Sequence, residues 1–195
     1  MIAQSERRAA TVSRIVEAAR KLFAAHGFAE TSIDAVATEA GVTKGAVYHH
    51  FSSKEEILDR LVDRMQADIS AEVPEAARRG KNIVDSIRRG TLKYLTAITE
   101  PDERQILLVD GPAVLGWERW REIDQRYFFP LMREPLVAAL QGRMTPREIE
   151  AIGHLIAGAM MEAALVCATS ESPQRTAKEM AHGLGTLLEP LLASK

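Results

Sequence analysis

Cysteine is almost missing from this chain: Cys167 is the only one among 195 residues. A disulfide within the chain is therefore excluded, and the apolar neighbours of Cys167 indicate a buried thiol. The sequence also lacks a cysteine pair, a phosphate-binding glycine loop and a recognisable pairing of a nucleophile with a base. We therefore expect no bound metal, no cofactor and no enzymatic activity.

Long uncharged apolar runs are also scarce, although 46% of the residues are hydrophobic. We expect no run to approach the roughly 18 uncharged residues that a membrane-spanning helix requires. The N-terminus MIAQSERRAATVSRIVEAAR lacks the apolar region and the cleavage site of an export signal. These absences predict a protein that contacts no membrane and lies in the cytoplasm.

The third missing feature is the sustained alternation of polar and apolar residues that marks a β-strand. Apolar residues instead follow the helical period along almost the whole chain. The first helix is predicted from Val12, Ile15, Val16, Ala19, Leu22, Phe23 and His26, with Gly27 as its end. The sequence therefore predicts an all-α fold with about nine helices.

Capping signals predict where the next three helices begin. Thr31 or Ser32 precedes the second helix, and Asp34 is placed to form a capping box with Thr31. Thr43 can cap a third helix. A fourth opens at SSKEE, residues 52–56, where two serines precede two glutamates. Two short helices therefore lie between two longer ones.

Proline and glycine predict the first interruptions beyond the fourth helix. The segment Glu72–Lys81 contains a proline, a glycine and three basic residues, and we expect the helical pattern to break there. Helical spacing resumes over Ile83–Ile98 and again over Pro101–Leu108. The latter helix is expected to stop before Asp110.

The remaining third of the chain predicts three longer helical segments. Pro130 and Pro135 are expected to interrupt Trp117–Leu140. The sequence TPRE, residues 145–148, combines an N-cap, a proline at the first helical position and an acid two residues later. Ser172-Pro173 begins the last helix in the same way.

The second and third helices have the pattern of a helix-turn-helix. They are joined by the short turn GVT, residues 41–43, and Ala37, Ala40 and Ala46 would let them approach closely. Residues 1–54 hold seven Lys and Arg against five acids, a small excess in a chain of net charge −2. The outward side of the third helix carries groups suited to phosphate and base contact, namely Thr43, Lys44, Gly45, Tyr48 and His49.

Residues 11–56, especially TSIDAVATEAGVTKGAVYHHFSSKEE, resemble the DNA-binding domain of TetR-type (tetracycline-repressor-like, TetR/AcrR) transcriptional regulators. The resemblance implies a DNA-binding domain over residues 1–54 and a helical ligand-binding and dimerisation domain over residues 55–195. It implies phosphate contacts from Thr31 and Tyr48, major-groove contacts from Thr43, Lys44 and Gly45, and DNA-backbone contacts from His49 and Lys54. Arg7 and Arg8 lie upstream of this domain's helix-turn-helix, from where they could reach a flanking groove of the DNA.

The adjacent histidines His49 and His50 also raise the possibility of a metal site. Neighbouring helical residues project about 100° apart, so two adjacent imidazoles do not easily share one ion. We therefore expect His49 on the outward side of the helix. His50 follows Val47 by three positions, and its place between core and surface stays open.

The last two helices carry more apolar surface than one inward side uses. Paired recognition helices on DNA lie about 34 Å apart, which requires a dimer surface. The candidates are Ile149, Ile152, Leu155, Ile156, Ala159, Met160, Ala163, Leu165, Ala177, Met180, Ala181, Leu184, Leu187 and Leu188. The family resemblance implies a four-helix bundle between two copies, and packing within one chain is the alternative.

The middle of the chain holds both tryptophans, in LLVDGPAVLGWERW. Their spacing with a later tyrosine predicts one aromatic helical side, which either lines a ligand cavity or packs in the core. The candidate cavity residues are Tyr94, Asp110, Trp117, Trp120, Asp124, Tyr127 and His154. DGPAVLGWERWREID also resembles a stretch that recurs in one group of TetR-type regulators.

These inferences predict a homodimeric, sequence-specific regulator that binds a palindromic operator in double-stranded DNA. The favoured mechanism is a repressor that leaves its operator when a small-molecule effector binds the second domain. One alternative is a helical enzyme that binds a small molecule. Another is an architectural DNA-binding protein that responds to no ligand.

Overall fold

The computed structural model describes residues 2–192, with side chains from residue 5 onward. The part of the chain that it describes contains nine helical segments and no strand, apart from an isolated bridge between Gln141 and Met144. The segments are α1 Ile2–Glu30, α2 Ile33–Ala40, α3 Lys44–His50, α4 Lys54–Arg78, α5 Ile83–Ile98, α6 over residues 101–115, α7 Trp117–Leu140, α8 Pro146–Thr169 and α9 Pro173–Leu192. The predicted all-α fold is confirmed.

The chain packs as two compact units. The first unit is formed by residues up to Met65 together with Pro101–Trp120, and the second by Gln66–Glu100 together with residues from Arg121 onward. Helices α4 and α7 each contribute residues to both units. The predicted boundary after residue 54 divides the chain by function, and it stays a prediction.

Gly27, predicted as the end of the first helix, lies inside α1, where its φ of 76° and ψ of 165° interrupt the helix before its last residue, Glu30. Ser32, rather than Thr31, caps α2, because its hydroxyl oxygen accepts a hydrogen bond from the Ala35 amide at 3.1 Å. The Thr31 hydroxyl donates to the Gly27 carbonyl at 2.9 Å instead. The expected capping box between Thr31 and Asp34 is therefore wrong, since the Thr31 side chain points into the unit.

The helix-turn-helix forms as predicted. Gly41 ends α2 in the left-handed conformation, with φ of 64°, and Val42 donates its amide to the Ala37 carbonyl at 2.9 Å. Thr43 caps α3 by accepting from the Ala46 amide at 3.1 Å. Val47 is completely buried, so the inward side of α3 belongs to the core of the first unit.

Helix α6 continues past the expected stop at Asp110. It consists of an α-helical turn at Pro101–Glu103, a π-helical stretch at Arg104–Asp110 and an α-helical stretch at Gly111–Leu115. The Gly111 amide donates to the Ile106 carbonyl, five residues back. A Cβ at Gly111 would lie 3.0 Å from the nearest atom of the Trp120 ring, so the close approach of Trp120 requires glycine here.

Prolines lie inside helices, among them Pro130 and Pro135, which were expected to interrupt one. α4 continues through Pro74 as far as Arg78, and α7 continues through Pro130 and Pro135 to Leu140. The expected breaks within α7 are therefore wrong, whereas the expected break within Glu72–Lys81 is confirmed, because α4 ends at Arg78 and α5 begins at Ile83. Pro74 and Pro130 are exposed, where water can bond the carbonyl left without an amide donor.

The second unit has its own apolar core, in which α5 packs against α8 and α9 and α8 packs against α9. The buried residues of this core are Ile87, Leu136, Leu140, Ile149, Ile156, Leu184, Leu188 and Leu192. α8 begins with the predicted capping box, in which Thr145 accepts from the Glu148 amide at 3.3 Å and donates its own amide to the Glu148 carboxylate at 2.7 Å. α9 begins at Pro173, also as predicted.

α8 is a strongly apolar helix. An 18-residue window of it has a mean hydropathy of 1.7, so the helix would suit a membrane span by length and composition. Glu162 lies within every 18-residue window of α8, so the expectation that no uncharged run approaches this length stands. Only 33% of the window is buried within the chain, which leaves apolar side chains of α8 on a surface.

Candidate DNA interface and ligand cavity

α3 has one buried and one exposed side. Val47 on the inner side is completely buried, whereas Tyr48 beside it is 51% exposed. Lys44, Gly45 and His49 are also exposed. An aromatic side chain that is left half in water on a short helix contributes little to the core. The exposed side is the one that the sequence predicts as a DNA contact.

Lys44 forms an ion pair that sequence reasoning did not foresee. Its ammonium lies 2.7 Å from the Asp34 carboxylate in the first turn of α2, and both side chains are more than half exposed. The hydrogen bond with Asp34, with the charge of Asp34, raises the pKa of Lys44. Exposed pairs of this kind contribute little to stability, so a phosphate group can compete with Asp34 for the ammonium.

Gly45 is not required by the packing of the first unit. The nearest atom that a Cβ at this position would meet is the Thr43 hydroxyl at 3.9 Å, an ordinary contact distance. An alanine would therefore fit the folded chain. What the glycine provides is open space beside the exposed side of α3, where another molecule's backbone can come close.

Thr31 and Lys54 both hold the end of α1. Thr31 is 3% exposed, and its hydroxyl is bonded to main-chain carbonyls. The Lys54 ammonium donates to the carbonyls of Phe28 and Thr31 at 2.7 Å each and lies 4.2 Å from the centre of the Phe28 ring. A phosphate contact by either side chain would require these bonds to break, so the geometry does not favour the predicted contacts.

The two histidines of α3 have different surroundings. Their rings meet edge to face with centres 5.1 Å apart, and His49 is exposed. His50 is half-buried, and its Nδ1 atom is buried without a hydrogen-bond partner. Burial lowers the pKa of His50, and the charges of His49 and Arg8 lower it further. Among residues 5–192, no three His, Cys, Asp or Glu side chains are grouped so that they could hold a metal ion.

The second unit contains an apolar cavity of about 70 Å³, lined by α4, α5, α7 and α8. Three aromatic rings contribute to its wall, those of Tyr94, Phe128 and Phe129. The rings of Tyr94 and Phe128 are in contact, with centres 4.2 Å apart. Asp124 is the one ionisable carboxyl group among the described lining residues. An apolar cavity with a few polar groups is typical of a small-molecule site.

The polar end of the cavity is organised around Asp124. The Tyr94 hydroxyl donates to Asp124 Oδ1 at 3.0 Å, and the Gln66 amide donates to the same atom at 3.4 Å. Burial raises the pKa of Asp124 to about 6, although the hydrogen bond from Tyr94 and the charge of Arg121 act in the opposite direction. Two further polar atoms, Gln66 Oε1 on α4 and Thr91 Oγ1 on α5, are buried without a hydrogen-bond partner.

Tyr94 and Asp124 are the two predicted cavity residues that do line the cavity. Asp110 belongs to the first unit, where its carboxylate accepts from the Phe28 amide at 3.1 Å. Trp120 is buried in the same unit, and its indole N–H donates to the Leu107 carbonyl at 2.6 Å. Trp117 is 51% exposed. The predicted assignment of these three residues to the cavity is therefore wrong, because they pack in the first unit.

The prediction of one continuous aromatic side on α7 is wrong, because α7 belongs to the first unit up to Trp120 and to the second unit from Arg121 onward. Residues at helical spacing on α7 therefore pack in different surroundings. Tyr127 is half-buried and does not line the cavity. His154 does not line it either: its half-exposed ring stacks on Phe129 with centres 4.6 Å apart.

Four residues of the cavity region were missed by sequence reasoning: Gln66, Thr91, Phe128 and Phe129. A signal for Gln66 was present, because it follows Leu58 and Val62 at intervals of four and so interrupts an apolar helical stripe with an amide. The doublet Phe128-Phe129 is a second signal in an aromatic-poor chain. Thr91 has no comparable signal, since threonine is common on both sides of a helix.

Two known protein families match this chain in separate parts. Residues 15–61 match the family described as bacterial regulatory proteins, tetR family. Residues 84–191, more than half of the chain, match the family described as tetracyclin repressor-like, C-terminal domain. The chain belongs to the TetR family of transcriptional regulators.

Individual TetR-family relatives agree with this membership. The chain is 29% identical to the transposon Tn10 TetC protein of Escherichia coli over 126 residues, which are 64% of this chain and 62% of TetC. It is 43% identical to the regulator SrpR of Pseudomonas putida over 56 residues, 29% of this chain and 26% of SrpR. The matches thus span less than two thirds of these curated relatives. Such relatives are transcriptional regulators, not enzymes.

Solved structures of the family share the whole fold. A TetR-family transcriptional regulator from Pectobacterium atrosepticum is 27% identical, covers 97% of both chains and gives a TM-score of 0.80. RolR, solved in complex with its ligand resorcinol, is 15% identical, covers 98% of this chain and 97% of its own, and gives a TM-score of 0.71. The chain therefore has the fold of the TetR-family transcriptional regulators.

The predicted dimer residues of this TetR-family chain divide into two groups. Half of them lie in the chain's own core, which corrects their assignment to a dimer surface: Ile149, Ile156, Ala163, Ala177, Ala181, Leu184 and Leu188. In contrast, Leu155 on α8 and Leu187 on α9 are each 74% exposed. Gly158 and Gly183 have no atom within 4 Å of an added Cβ. An exposed side of small and apolar residues is left on these two helices.

Proposed function

We propose that this TetR-family regulator is a homodimer that binds a palindromic operator and represses transcription until a small molecule enters the cavity of the second unit. The observation that carries the DNA-binding part is the contrast across α3. Its inner side is closed by Val47, and its outer side presents the half-exposed ring of Tyr48. A protein that only needed a folded core would gain nothing from an aromatic ring in water.

The groups on the outer side of α3 suit a duplex. Lys44 supplies a positive charge for a phosphate or for guanine, and the Tyr48 hydroxyl can donate to a phosphate oxygen. Thr43 caps the helix by accepting a hydrogen bond at its hydroxyl oxygen, which leaves the hydroxyl proton free to be donated to DNA. Gly45 lets the DNA backbone or a base edge come close. Arg7 and Arg8 are exposed on α1, and the charge of Arg8 reaches His50.

Dimerisation is supported by the exposed side of α8 and α9. Leu155 and Leu187 are each 74% exposed, an arrangement that is unfavourable in water and favourable against a second copy. Gly158 and Gly183 would let the helices of two copies approach closely. Two copies related by a two-fold axis would present two α3 helices to a palindromic site.

Release by a ligand is supported by the cavity and by the course of α4. This one helix supplies Val73 to the cavity wall and Lys54 to the anchoring of α1 in the first unit. A ligand that favours one position of α4 would change the affinity for the operator only as far as it binds that position more tightly. The structural neighbour RolR holds resorcinol, which supports a ligand role for the second unit. We expect the protein to act in the cytoplasm, with the DNA.

The test uses fluorescence anisotropy with DNA from upstream of the protein's own coding region. Lys44→Ala and Tyr48→Phe should each weaken the complex; Lys44→Ala should also lower the slope of log affinity against log salt by about one, because it removes a charge from a phosphate, whereas Tyr48→Phe removes no charge and should leave the slope nearly unchanged. Lys21→Ala is the matched control, because Lys21 is another exposed lysine paired with an acid, Glu39, at 3.2 Å. The absence of any sequence-specific, salt-sensitive complex would contradict the proposal.

A further inference from the structure

Asp124 is an acid in a cavity that contains no base. Among the described residues that line the cavity there is no lysine, arginine or histidine. Asp124 itself is 7% exposed, and between residues 5 and 192 no ion pair includes it. A buried carboxylate is unfavourable unless it is paired with a cation or fully bonded. The site therefore has negative charge that the described chain does not neutralise.

The hydrogen bonds of Asp124 do not remove this imbalance. Both donors, the Tyr94 hydroxyl and the Gln66 amide, are neutral, and both are directed at the same oxygen, Oδ1. They fix the orientation of the carboxyl group and leave its charge in place. The charge of Arg121 acts on Asp124 only from outside ion-pair distance. Burial accordingly raises the pKa of Asp124 to about 6, so the group is mostly ionised at neutral pH.

The rest of the cavity wall favours positive charge as well. The rings of Tyr94, Phe128 and Phe129 line the same cavity as Asp124, and aromatic rings attract cations. Met132 and Met160 add polarizable thioethers to the same wall. An acid in a cavity lined by aromatic rings is the usual chemistry of sites that hold an ammonium group.

We propose that the cavity binds a small organic cation, a protonated amine or a quaternary ammonium group on an apolar or aromatic body, with Asp124 as its counter-ion. The inference rests on the proposed ligand role of the second unit and names the class of ligand. The ammonium group lies against the Asp124 carboxylate and the ring faces, and the apolar body lies against the remaining wall. Thr91 Oγ1, buried in the wall without a partner, can accept a hydrogen bond from a protonated amine.

Other classes of ligand fit less well. An anion would meet Asp124 with no basic residue to offset the repulsion. A neutral hydroxyl compound can donate a hydrogen bond to Asp124, but it leaves the carboxylate charge unpaired. The cavity of about 70 Å³ limits the ligand to a compact group, unless the flexible Met132 and Met160 side chains move aside.

The test is calorimetric titration of the full-length protein, without DNA, at pH 7.5 with probes that share one ring. The cations are benzylamine and benzyltrimethylammonium, the neutral probe is benzyl alcohol and the anion is benzoate. The better cation should bind at least about tenfold more tightly than benzyl alcohol, and benzoate should bind most weakly. Equal or tighter binding of benzyl alcohol or benzoate overturns the proposal. So does the failure of both cations to bind at millimolar concentration.

Asp124→Asn tests the counter-ion directly. It keeps the size of the side chain and an acceptor for Tyr94, so it should weaken cation binding about tenfold or more and leave benzyl alcohol nearly unchanged. Glu134→Gln, which neutralises an exposed carboxylate on the same helix, is the matched control and should change neither. Cation binding that survives Asp124→Asn overturns the proposal. The probe series with the unaltered protein decides the matter even where Asp124→Asn does not fold.

A parallel titration on the operator complex separates this proposal from the proposed function. A cation that binds the free protein and leaves the operator complex intact supports the ligand class and contradicts release by ligand. A protein that forms the operator complex but binds neither cation contradicts the ligand class alone. A protein that binds the cations and no DNA contradicts the proposed function and supports the ligand class.

Discussion

Gly45 is a residue whose identity the fold leaves free, since an added methyl group would meet nothing closer than the Thr43 hydroxyl at 3.9 Å. Gly45→Ala should therefore stabilise the folded protein, by up to about 1 kcal/mol, because alanine loses less backbone entropy in a helix. The same methyl group should weaken operator binding, on the order of tenfold, because it occupies the space into which DNA would come. Urea unfolding and anisotropy on the same preparation measure the two effects.

The opposite signs make Gly45→Ala informative. A variant that loses both stability and operator affinity would indicate misfolding, and one that gains stability with unchanged affinity would contradict the assignment of α3. Thr38→Ala is a useful control, because Thr38 is exposed on α2 and its hydroxyl bonds only to the Asp34 carbonyl of its own helix. It should leave operator affinity within about twofold.

Asp124 gives the chain a pH-dependent stability. Its pKa is about 6 in the folded protein against an ordinary value of 3.8, so the folded state holds the proton more tightly than the unfolded state does. Stability from this group is therefore present at low pH and is lost as pH rises from about 4 to about 6. The neutral donors Tyr94 and Gln66 face the carboxyl group from α5 and α4, and the charge of Arg121 reaches it from α7.

Asp124→Asn should remove that dependence. The variant's unfolding free energy relative to the unaltered protein should rise between pH 4 and pH 7 by on the order of 2 to 3 kcal/mol, at 1.36 kcal/mol for each unit of pKa shift. Urea unfolding at pH 4.5, 5.5 and 7.0, at one fixed protein concentration, measures the change. A difference between the two proteins that is constant over this range would contradict the buried, unpaired carboxylate.

At the scale of elements, α6 is bound to α1 by polar contacts as well as by packing. Glu103 accepts from Arg20 at 2.7 Å, and Asp110 accepts from the Phe28 amide at 3.1 Å, directly after the break at Gly27. The amide of Phe28 has no helical partner because Gly27 interrupts the helix there. Asp110 therefore does for α1 what a capping residue does for a helix end.

Asp110→Ala should destabilise the first unit by about 1 to 3 kcal/mol, since it leaves the buried Phe28 amide unpaired. Asp102→Ala is the matched control, because Asp102 is an exposed acid in the first turn of the same element. Chemical unfolding of the two variants measures the difference. Equal effects would show that the contact of Asp110 with Phe28 contributes nothing to the fold.

The elements that sequence reasoning predicted well depend on local contacts. The caps at Thr43, at residues 52–56 and at Thr145 each join groups within four residues, so the pattern contains both partners. The prolines were predicted less well because a proline ends a helix only where the lost hydrogen bond has no substitute. Pro74 and Pro130 are exposed, so water can replace the lost hydrogen bond. Whether a proline is exposed depends on tertiary packing, which its local sequence does not reveal.

The same distinction applies to the two candidate sites. The outer side of α3 was predictable, since the helix-turn-helix pattern lies within a few tens of residues. Thr31 and Lys54 were predicted as DNA contacts because nothing local reveals that Lys54 caps a helix end 26 residues earlier, at Phe28. Only part of the cavity lining was predicted. Asp124 was predicted correctly and Trp120 was not, because α7 contributes Trp120 to one unit and Asp124 to the other. Spacing along a helix does not reveal that division.

For the whole molecule, the account depends on pairing through α8 and α9. Leu155→Glu and Leu187→Glu should each yield a monomer, because a charge would be buried between the copies. Val109→Glu is the matched control, since Val109 is an exposed apolar residue of the first unit at 50%. Sedimentation velocity measures the mass of each variant. Dimers of unchanged stability in both leucine variants would place the pairing surface elsewhere.

The most direct test of the central claim is selection of bound sequences from random double-stranded DNA by the purified protein. Two α3 helices in a two-fold dimer predict enrichment of an inverted repeat whose half-sites lie about one helical turn, or a multiple of it, apart. Lys44→Ala should reduce that enrichment. Recovery of no common sequence, or of a single half-site without its inverted copy, would contradict the account of a dimeric, sequence-specific regulator.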